Sequence, residues 1–268
     1  MLLPGGLADA NGAVDRRYAW KPVDGGMEAA LAEIAAEARG PEAVSRALAY
    51  ALDDLGGAAA SRARVDALCV PDRRYLMIRL AEMLGLSSSW VSHRCFACSE
   101  PFDFTLDLSY LPVEPAGEAY PRARADTSCG PLALRVPTGA DQLGIAGIHD
   151  DREALRAITL LCVLGRETTA GPELSEADIE AIDASVEDSA PKIPWAIDAG
   201  CPECGAANII PIDVSAWLAR LANGSIRDVH EIAAAYGWSE REILSLPRAR
   251  RLKYLELIRG SAPYADVS

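Results

Sequence analysis

Two pairs of cysteines in this sequence have the spacing of metal ligands. Cys95 and Cys98 form the first pair, and Cys201 and Cys204 form the second pair much later in the chain. Two thiols separated by two residues turn toward one point when the chain bends sharply after the first of them. Two such pairs supply four thiolates, which is a complete tetrahedral shell for zinc.

Both pairs are followed by segments with strand character, 102–108 and 208–212. The sequence therefore predicts a zinc ribbon, in which one structural Zn²⁺ per chain clasps two hairpins and offers no open position for catalysis. Gly205 follows the second pair and favours its bend, whereas Ser99 stands at that position in the first pair. We interpret His93 as a hairpin side chain, because four cysteines already fill the site.

The alternative interpretations of these pairs are isolated surface cysteines and a redox centre. A redox CxxC opens a helix whose N-terminus lowers the thiol pKa, and neither pair here precedes a helical pattern. The other cysteines are Cys69, Cys129 and Cys162, which have apolar neighbours. They are predicted to be buried free thiols of a reducing compartment.

The composition limits the partners of the chain. Half of its 268 residues are apolar, so a sizeable core can form, and the formal net charge is -13. Phosphate binding needs a surplus of Lys and Arg that is missing here, so we expect neither nucleic acid nor an anionic membrane as partner. The start of the chain has no signal-peptide pattern and no segment has the apolar length of a membrane span, so we expect a cytoplasmic protein.

The hydrophobic patterns predict an α+β fold that is mostly helical, with the zinc ribbon and a C-terminal helical module. The predicted organisation is a flexible N-terminus (1–13), a strand and helix region (14–88), a zinc-ribbon core with a helical insertion (89–213), a C-terminal helical module (214–260) and a tail (261–268). Within it, we expect helices at 27–38, 42–55, 71–84, 150–164, 173–188, 214–222, 225–236, 240–246 and 247–258. Strands are expected at 14–20, 65–70, 132–136 and 195–199.

Charge is distributed unevenly over two of these helices. The helix 173–188 begins with a capping box formed by Ser175 and Asp178, and its outer face carries carboxylates with no basic residue. This face is either solvated or a docking surface for a basic partner. The last helix, at 247–258, carries a basic cluster on an acidic protein, and a second capping box, Ser239 with Glu242, precedes it.

Motifs for catalysis are missing from the sequence. It has no nucleophile motif, HExxH pattern, phosphate-binding glycine loop or dinucleotide fingerprint, and its three histidines form no catalytic pattern. We therefore expect neither an enzyme nor a small-molecule substrate.

The C-terminal sequence resembles a known family. Residues 229–247 and 250–258, together with both CxxC pairs and the segment 134–141, are similar to the T4-type baseplate hub assembly family of contractile phage tails and phage-derived injection systems. The resemblance covers about residues 14–260. Ser99 departs from the glycine expected in the first pair.

This resemblance implies a non-enzymatic structural or assembly role in a baseplate, with hub or spike subunits as partners. Whether the protein leaves or stays in the finished particle is open.

The residues expected to dock a partner are Tyr236, Trp238, Arg248, Arg250, Arg251, Lys253 and Tyr254, because aromatic and Arg side chains dominate interface hot spots. Two alternatives stay open for them: the aromatic rings pack the helix turn, and the basic helix folds back onto the acidic helix 173–188. The alternative function is a zinc-ribbon module for protein interaction or nucleic-acid association, unrelated to tails.

Overall fold

Helices and small antiparallel sheets make up the computed structural model, which describes residues 1–9, 12–165 and 174–260. The strands are β1 (Leu2–Ala8), β2 (Val14–Trp20), β3 (Leu52–Leu55), β4 (Ser88–Arg94), β5 (Pro101–Asp107), β6 (Arg122–Thr127), β7 (Gly130–Arg135), β8 (Ala196–Gly200) and β9 (Ala207–Pro211). The helices are α1 (Gly25–Glu37), α2 (Gly40–Ala51), α3 (Arg62–Ala67), α4 (Val70–Met83), α5 (Gly139–Ile145), α6 (Asp151–Cys162), α7 (Glu176–Ser189), α8 (Ala216–Tyr236), α9 (Glu240–Leu244) and α10 (Arg248–Gly260), with a 3-10 turn at Leu108–Tyr110. This confirms the predicted α+β class.

Strand pairing is local. The first three strands form one sheet in chain order, and β4–β5, β6–β7 and β8–β9 are separate two-stranded hairpins. An isolated hairpin is marginally stable in water, so each of the three depends on packing against other elements or on a cross-link.

The main hydrophobic core brings the N-terminal elements together with the start of α8. Helices α1, α2 and α4 bury their apolar faces against the first sheet, and the N-terminal half of α8 adds Trp217, Leu218 and Leu221 to the same cluster. Helix α8 packs along α1. The core therefore draws on both of the regions predicted as 14–88 and 214–260.

The N-terminus differs from the sequence prediction. Residues 2–8 form β1, so the prediction that residues 1–13 are flexible is wrong for this part. Two backbone amides, those of Gly5 and Gly6, donate to the buried carboxylate of Asp72 at 2.9 and 2.7 Å. A side chain at position 5 would meet the Asp72 oxygen at 2.8 Å, so only glycine lets the strand approach this closely. The predicted tail 261–268 lies outside the described residues.

Three further predictions of secondary structure are wrong. The helix expected at 42–55 ends at Ala51, because residues 52–55 pair with β2 as β3. The strand expected at 65–70 is not formed: residues 65–67 belong to α3, which the side chain of Ser61 caps by accepting from the amide of Arg64, and α4 begins at Val70. The break expected between helices at 214–222 and 225–236 is not formed: α8 is continuous there, with the main core at one end and Ile232 in another cluster at the other.

A second cluster packs α7 against the β6–β7 hairpin, with Leu134, Ile179 and Ile182 buried in it. The predicted capping box of Ser175 and Asp178 is confirmed. In α6, Leu155 and Leu161 lie on the outer face, where 39% and 46% of their surfaces are exposed. The buried positions of α6 are Thr159 and Cys162.

A small C-terminal cluster forms around Ile232, Ile243 and Leu255, which come from α8, α9 and α10. Gly237 ends α8 with a φ of 69°. The capping box of Ser239 and Glu242 at the start of α9 is confirmed. No helix in the described part of the chain has the length and apolar character needed to cross a membrane.

Candidate metal centre

The first cysteine pair lies in the turn between β4 and β5. The amide of Ser99 donates to the carbonyl of Cys95 at 3.0 Å, and the amide of Cys95 donates to the carbonyl of Glu100 at 3.0 Å. Ser99 has a φ of 63°, the left-handed region that glycine enters without steric cost. These bonds fold the chain into a knuckle that brings Cys98 back toward Cys95.

The second pair repeats this structure between β8 and β9. The amide of Gly205 donates to the carbonyl of Cys201 at 2.9 Å, and the amide of Cys201 donates to the carbonyl of Ala206 at 2.9 Å. Gly205 has a φ of 72°. The two knuckles are therefore equivalent in backbone geometry, although the glycine is present in one of them only.

The knuckles face each other and bring their four sulfurs together. All four Sγ atoms lie within 4.8 Å of one another, and the Cys95–Cys204 and Cys98–Cys201 distances are both 3.7 Å. A tetrahedral zinc site with bonds of about 2.3 Å has ligand-to-ligand edges of about 3.8 Å. The geometry of the cluster thus fits a metal ion of this size, and the sulfurs are too far apart for disulfides.

Hydrogen bonds pull the thiol protonation states in opposite directions. The amide of Cys98, with that of Ala97, lowers the pKa of Cys95 to about 6. The pKa of Cys98 is raised to about 12: the amide of Glu100 favours its thiolate, but burial and the bonds to the other three sulfurs outweigh it. The pKa of Cys204 is also raised, since the favourable amide of Ala206 is likewise outweighed. A divalent cation removes this conflict because it stabilises all four thiolates together.

Asn208 on β9 connects the two knuckles and was not among the predicted site residues. It is fully buried, its Oδ1 accepts from the amide of Phe96 at 2.9 Å, and its Nδ2 donates to the carbonyl of Ala206 at 2.8 Å. Nδ2 also lies 3.7 Å from the sulfur of Cys95. The signal for it is in the sequence: Asn208 is in phase with the inward-facing Ile210, so a polar side chain falls at a core position.

His93 stands beside the centre and is not part of it. Its ring packs edge-on against Phe96 and Phe102, with centroids 4.9 and 5.6 Å away. The interpretation of His93 as a hairpin side chain is confirmed, since the metal-type cluster consists of the four cysteines.

The three other cysteines lie elsewhere. Cys69 and Cys162 are buried as predicted, but Cys129 is exposed, so that prediction is wrong for it. Cys129 occupies the two-residue loop between Thr127 and Gly130 of the β6–β7 hairpin, where a side chain has no core to enter.

No family model, curated protein or solved structure matches this chain. The chemistry of the centre therefore follows from its own ligands. Four cysteines complete a tetrahedral shell and leave no position for water or substrate. A metal ion held there would stabilise the fold, because the ligands belong to hairpins that local sequence does not hold together.

The residues predicted to dock a partner are divided by the fold. Arg248 and Arg251 turn inward and hold the buried carboxylate of Glu28 on α1, at 3.0 and 2.6 Å. Arg251 is only 3% exposed, so its assignment to a docking surface is wrong. Arg250 and Lys253 are exposed and make no ion pair among the described residues.

The aromatic residues of this set form one group. The rings of Tyr236, Trp238 and Tyr254 contact one another, with centroids 5.0 to 5.5 Å apart. Trp238 and Tyr254 also pack against the small C-terminal cluster, whereas Tyr236 is 41% exposed. The group therefore combines packing with an accessible edge at Tyr236, and Arg250 and Lys253 lie on the same helix as Tyr254, α10.

Proposed function

We propose that the protein is a non-enzymatic structural or assembly protein of the baseplate of a phage-like contractile tail or contractile injection system. Zinc at the four cysteines is its structural metal. The observation that carries the non-enzymatic role is the closed set of four thiols, which clasps hairpins from distant parts of the chain. The resemblance of residues 229–258 and of both CxxC pairs supports the baseplate assignment.

Zinc explains how two marginal hairpins persist. The β4–β5 and β8–β9 hairpins have two strands each. Their shared cluster is small, with Cys95, Phe102, Cys201 and Ile210 as its buried members. Bound at the four sulfurs, the ion closes a long loop and stabilises only the folded chain.

Cys69, Asp72 and Tyr120 lie close together in the core. They are residue types found in catalytic sites, but here they lack a reactive thiol and free polar groups. Burial raises the pKa of the Cys69 thiol well above its ordinary value, which disfavours the reactive thiolate. The neighbouring Asp72 is engaged by the amides of β1, and the hydroxyl of Tyr120 donates to the carbonyl of Gly6 at 2.7 Å. These groups fasten β1 to α4, which supports a structural role.

The surface we assign to a baseplate or hub subunit is the accessible edge of Tyr236 together with Arg250 and Lys253. Their charge is opposite to that of most of this protein, so they steer an acidic partner to one face. The rings of Trp238 and Tyr254 contact the ring of Tyr236 and pack against the small C-terminal cluster.

Mass spectrometry of purified contractile particles and of the cell lysate tests this role, using the full chain with an affinity tag in its native host. Presence in the particle indicates a retained subunit, and presence in the lysate together with failed assembly after deletion indicates an assembly factor. Normal assembly after deletion, with no baseplate subunit bound to the tagged chain, would contradict the proposal and favour the alternative of an unrelated zinc-ribbon module.

The docking surface has its own test. Arg250→Glu combined with Lys253→Glu is expected to reduce particle assembly while the melting temperature stays unchanged. Arg122→Glu combined with Arg152→Glu is the matched control, because it makes the same charge change at exposed positions elsewhere. If both charge-reversal variants assembled particles equally well, Arg250 and Lys253 would not belong to the docking surface.

A further inference from the structure

A groove of about 690 Å³ lies between the C-terminal half of α7 and the segment that leads into β8. Its apolar lining includes Val136, Val186 and Ala190. It also includes five proline rings, those of Pro71, Pro112, Pro137, Pro191 and Pro194. The groove is separate from the metal centre and from the aromatic group at the C-terminus.

The walls of this groove are held in place by long-range hydrogen bonds. Glu114 and Lys192 exchange two backbone bonds of 3.0 Å across it. The guanidinium of Arg74 on α4 donates to the carbonyls of Pro194 and Trp195 at 2.9 and 3.1 Å. The prolines and these bonds already fix the backbone. The entropic cost of ordering the site when a ligand binds is therefore small.

Carboxylates dominate the rim. Glu114, Asp183, Glu187 and Asp188 line the groove. The cations there are engaged: Arg74 faces the carbonyls, and Lys192 lies 3.6 Å from Asp188.

The row of carboxylates continues along α7. Glu180, Asp183 and Glu187 follow one another at helical spacing on one exposed face, and none of them has an ion pair in the described part of the chain. Like charges at this spacing repel one another. A basic partner would remove that repulsion.

The indole of Trp195 completes the site. It lines the groove and is 61% exposed. An exposed indole beside carboxylates suits a guanidinium or ammonium group, which gains from the ring face and from the opposite charge.

We propose that this groove binds an extended segment of a partner protein that carries Arg or Lys residues beside an apolar side chain. The apolar side chain packs between the prolines, and the cations pair with Asp183 and Glu187 and cover Trp195. Phosphate-rich partners are disfavoured, because the rim repels them. The site goes beyond the baseplate role, since it lies on the acidic side of the chain and selects a partner of the opposite charge.

Selection from a randomised phage library of 12-residue peptides on the immobilised full-length protein tests this inference. We expect the enriched peptides to carry at least two Arg or Lys residues next to an apolar residue. Their affinities are then measured by fluorescence anisotropy with labelled peptide. The triple variant Glu180→Lys, Asp183→Lys and Glu187→Lys should weaken binding by about tenfold or more, and Trp195→Ala by about three- to tenfold.

A matched control distinguishes the groove from general acidity. The variant Asp103→Lys, Glu240→Lys and Glu256→Lys makes the same change in net charge at exposed positions elsewhere and should keep the wild-type affinity. Equal loss in both triple variants, or no enrichment on the wild type relative to the Glu180, Asp183 and Glu187 variant, would overturn the proposal. Self-association of the wild type that the same triple variant abolishes, without peptide binding, would also overturn it in favour of a second copy.

Discussion

Ser99 and Gly205 occupy the same position of the two metal knuckles and share a left-handed backbone, with φ of 63° and 72°. Glycine takes this conformation freely, whereas a side chain with a Cβ costs about 1 kcal/mol there. We expect Ser99→Gly to raise the free energy of unfolding by about 1 kcal/mol and Gly205→Ala to lower it by about the same amount. Urea denaturation of the zinc-loaded protein measures both changes.

Gly144→Ala is the control for these two substitutions. Gly144 lies in α5, and its added Cβ meets no atom within 4 Å, so this change should not destabilise the protein. If Ser99→Gly lowered stability, the serine hydroxyl would contribute more than its backbone conformation costs.

Zinc is expected at one ion per chain in protein purified without added metal. Chelation, or Cys204→Ser, should lower the melting temperature by on the order of 10 °C, since the binding free energy stabilises only the folded state. Elemental analysis and calorimetry check this, with Cys129→Ser as the control outside the cluster. A molar ratio near zero, with the exposed Cys98 and Cys204 freely reactive in the native protein, would show that the cluster is not a metal site.

The parts of the fold that sequence predicts well depend on local chemistry. The CxxC pairs fix the knuckles, and the side chains of Ser175 and Ser239 fix two helix starts, because partners three residues apart satisfy each other. The parts that fail depend on distant partners. The sequence around Gly5 contains no sign that Asp72 accepts a hydrogen bond from its amide. The sequence around Arg251 likewise contains no sign that this residue pairs with the buried Glu28 on α1.

The buried pair of Glu28 and Arg251 fastens the C-terminal module to the core. Their 2.6 Å contact lies out of solvent, with 1% and 3% of the side chains exposed. Arg251→Met would leave the carboxylate without its closest partner, so we expect a loss of about 3–5 kcal/mol in unfolding free energy. Urea denaturation measures it, with the exposed Arg250→Met as the control that should change little.

A double variant separates this ion pair from general packing. Glu28→Met combined with Arg251→Met removes both charges, so it should be less damaging than Arg251→Met alone. Equal or greater damage in the double variant would mean that the loss comes from packing and not from the uncompensated carboxylate.

Asp178 gives the protein a defined response to acid. Its carboxylate accepts from the amide and hydroxyl of Ser128 at 2.6 and 2.7 Å, and from the amide and hydroxyl of Ser175 at 2.9 and 2.7 Å. These bonds, the amide of Ser128 first among them, hold the pKa of Asp178 well below its usual value. Because the folded pKa lies below the unfolded one, the stabilisation is complete above an unfolded pKa of about 3.9 and is lost as the pH falls toward the folded pKa.

Asp178→Asn is therefore expected to lower the free energy of unfolding at pH 7, and this difference from the wild type should shrink progressively below about pH 4. Urea denaturation of both proteins across this range measures the difference, and any effect of acid on the metal centre is shared by the two. Glu180→Gln, an exposed carboxylate of the same helix, is the control and should change stability little at either end of the range. A difference that stays constant down to about pH 3 would mean that the ionised form of Asp178 is not what ties α7 to the β6–β7 turn.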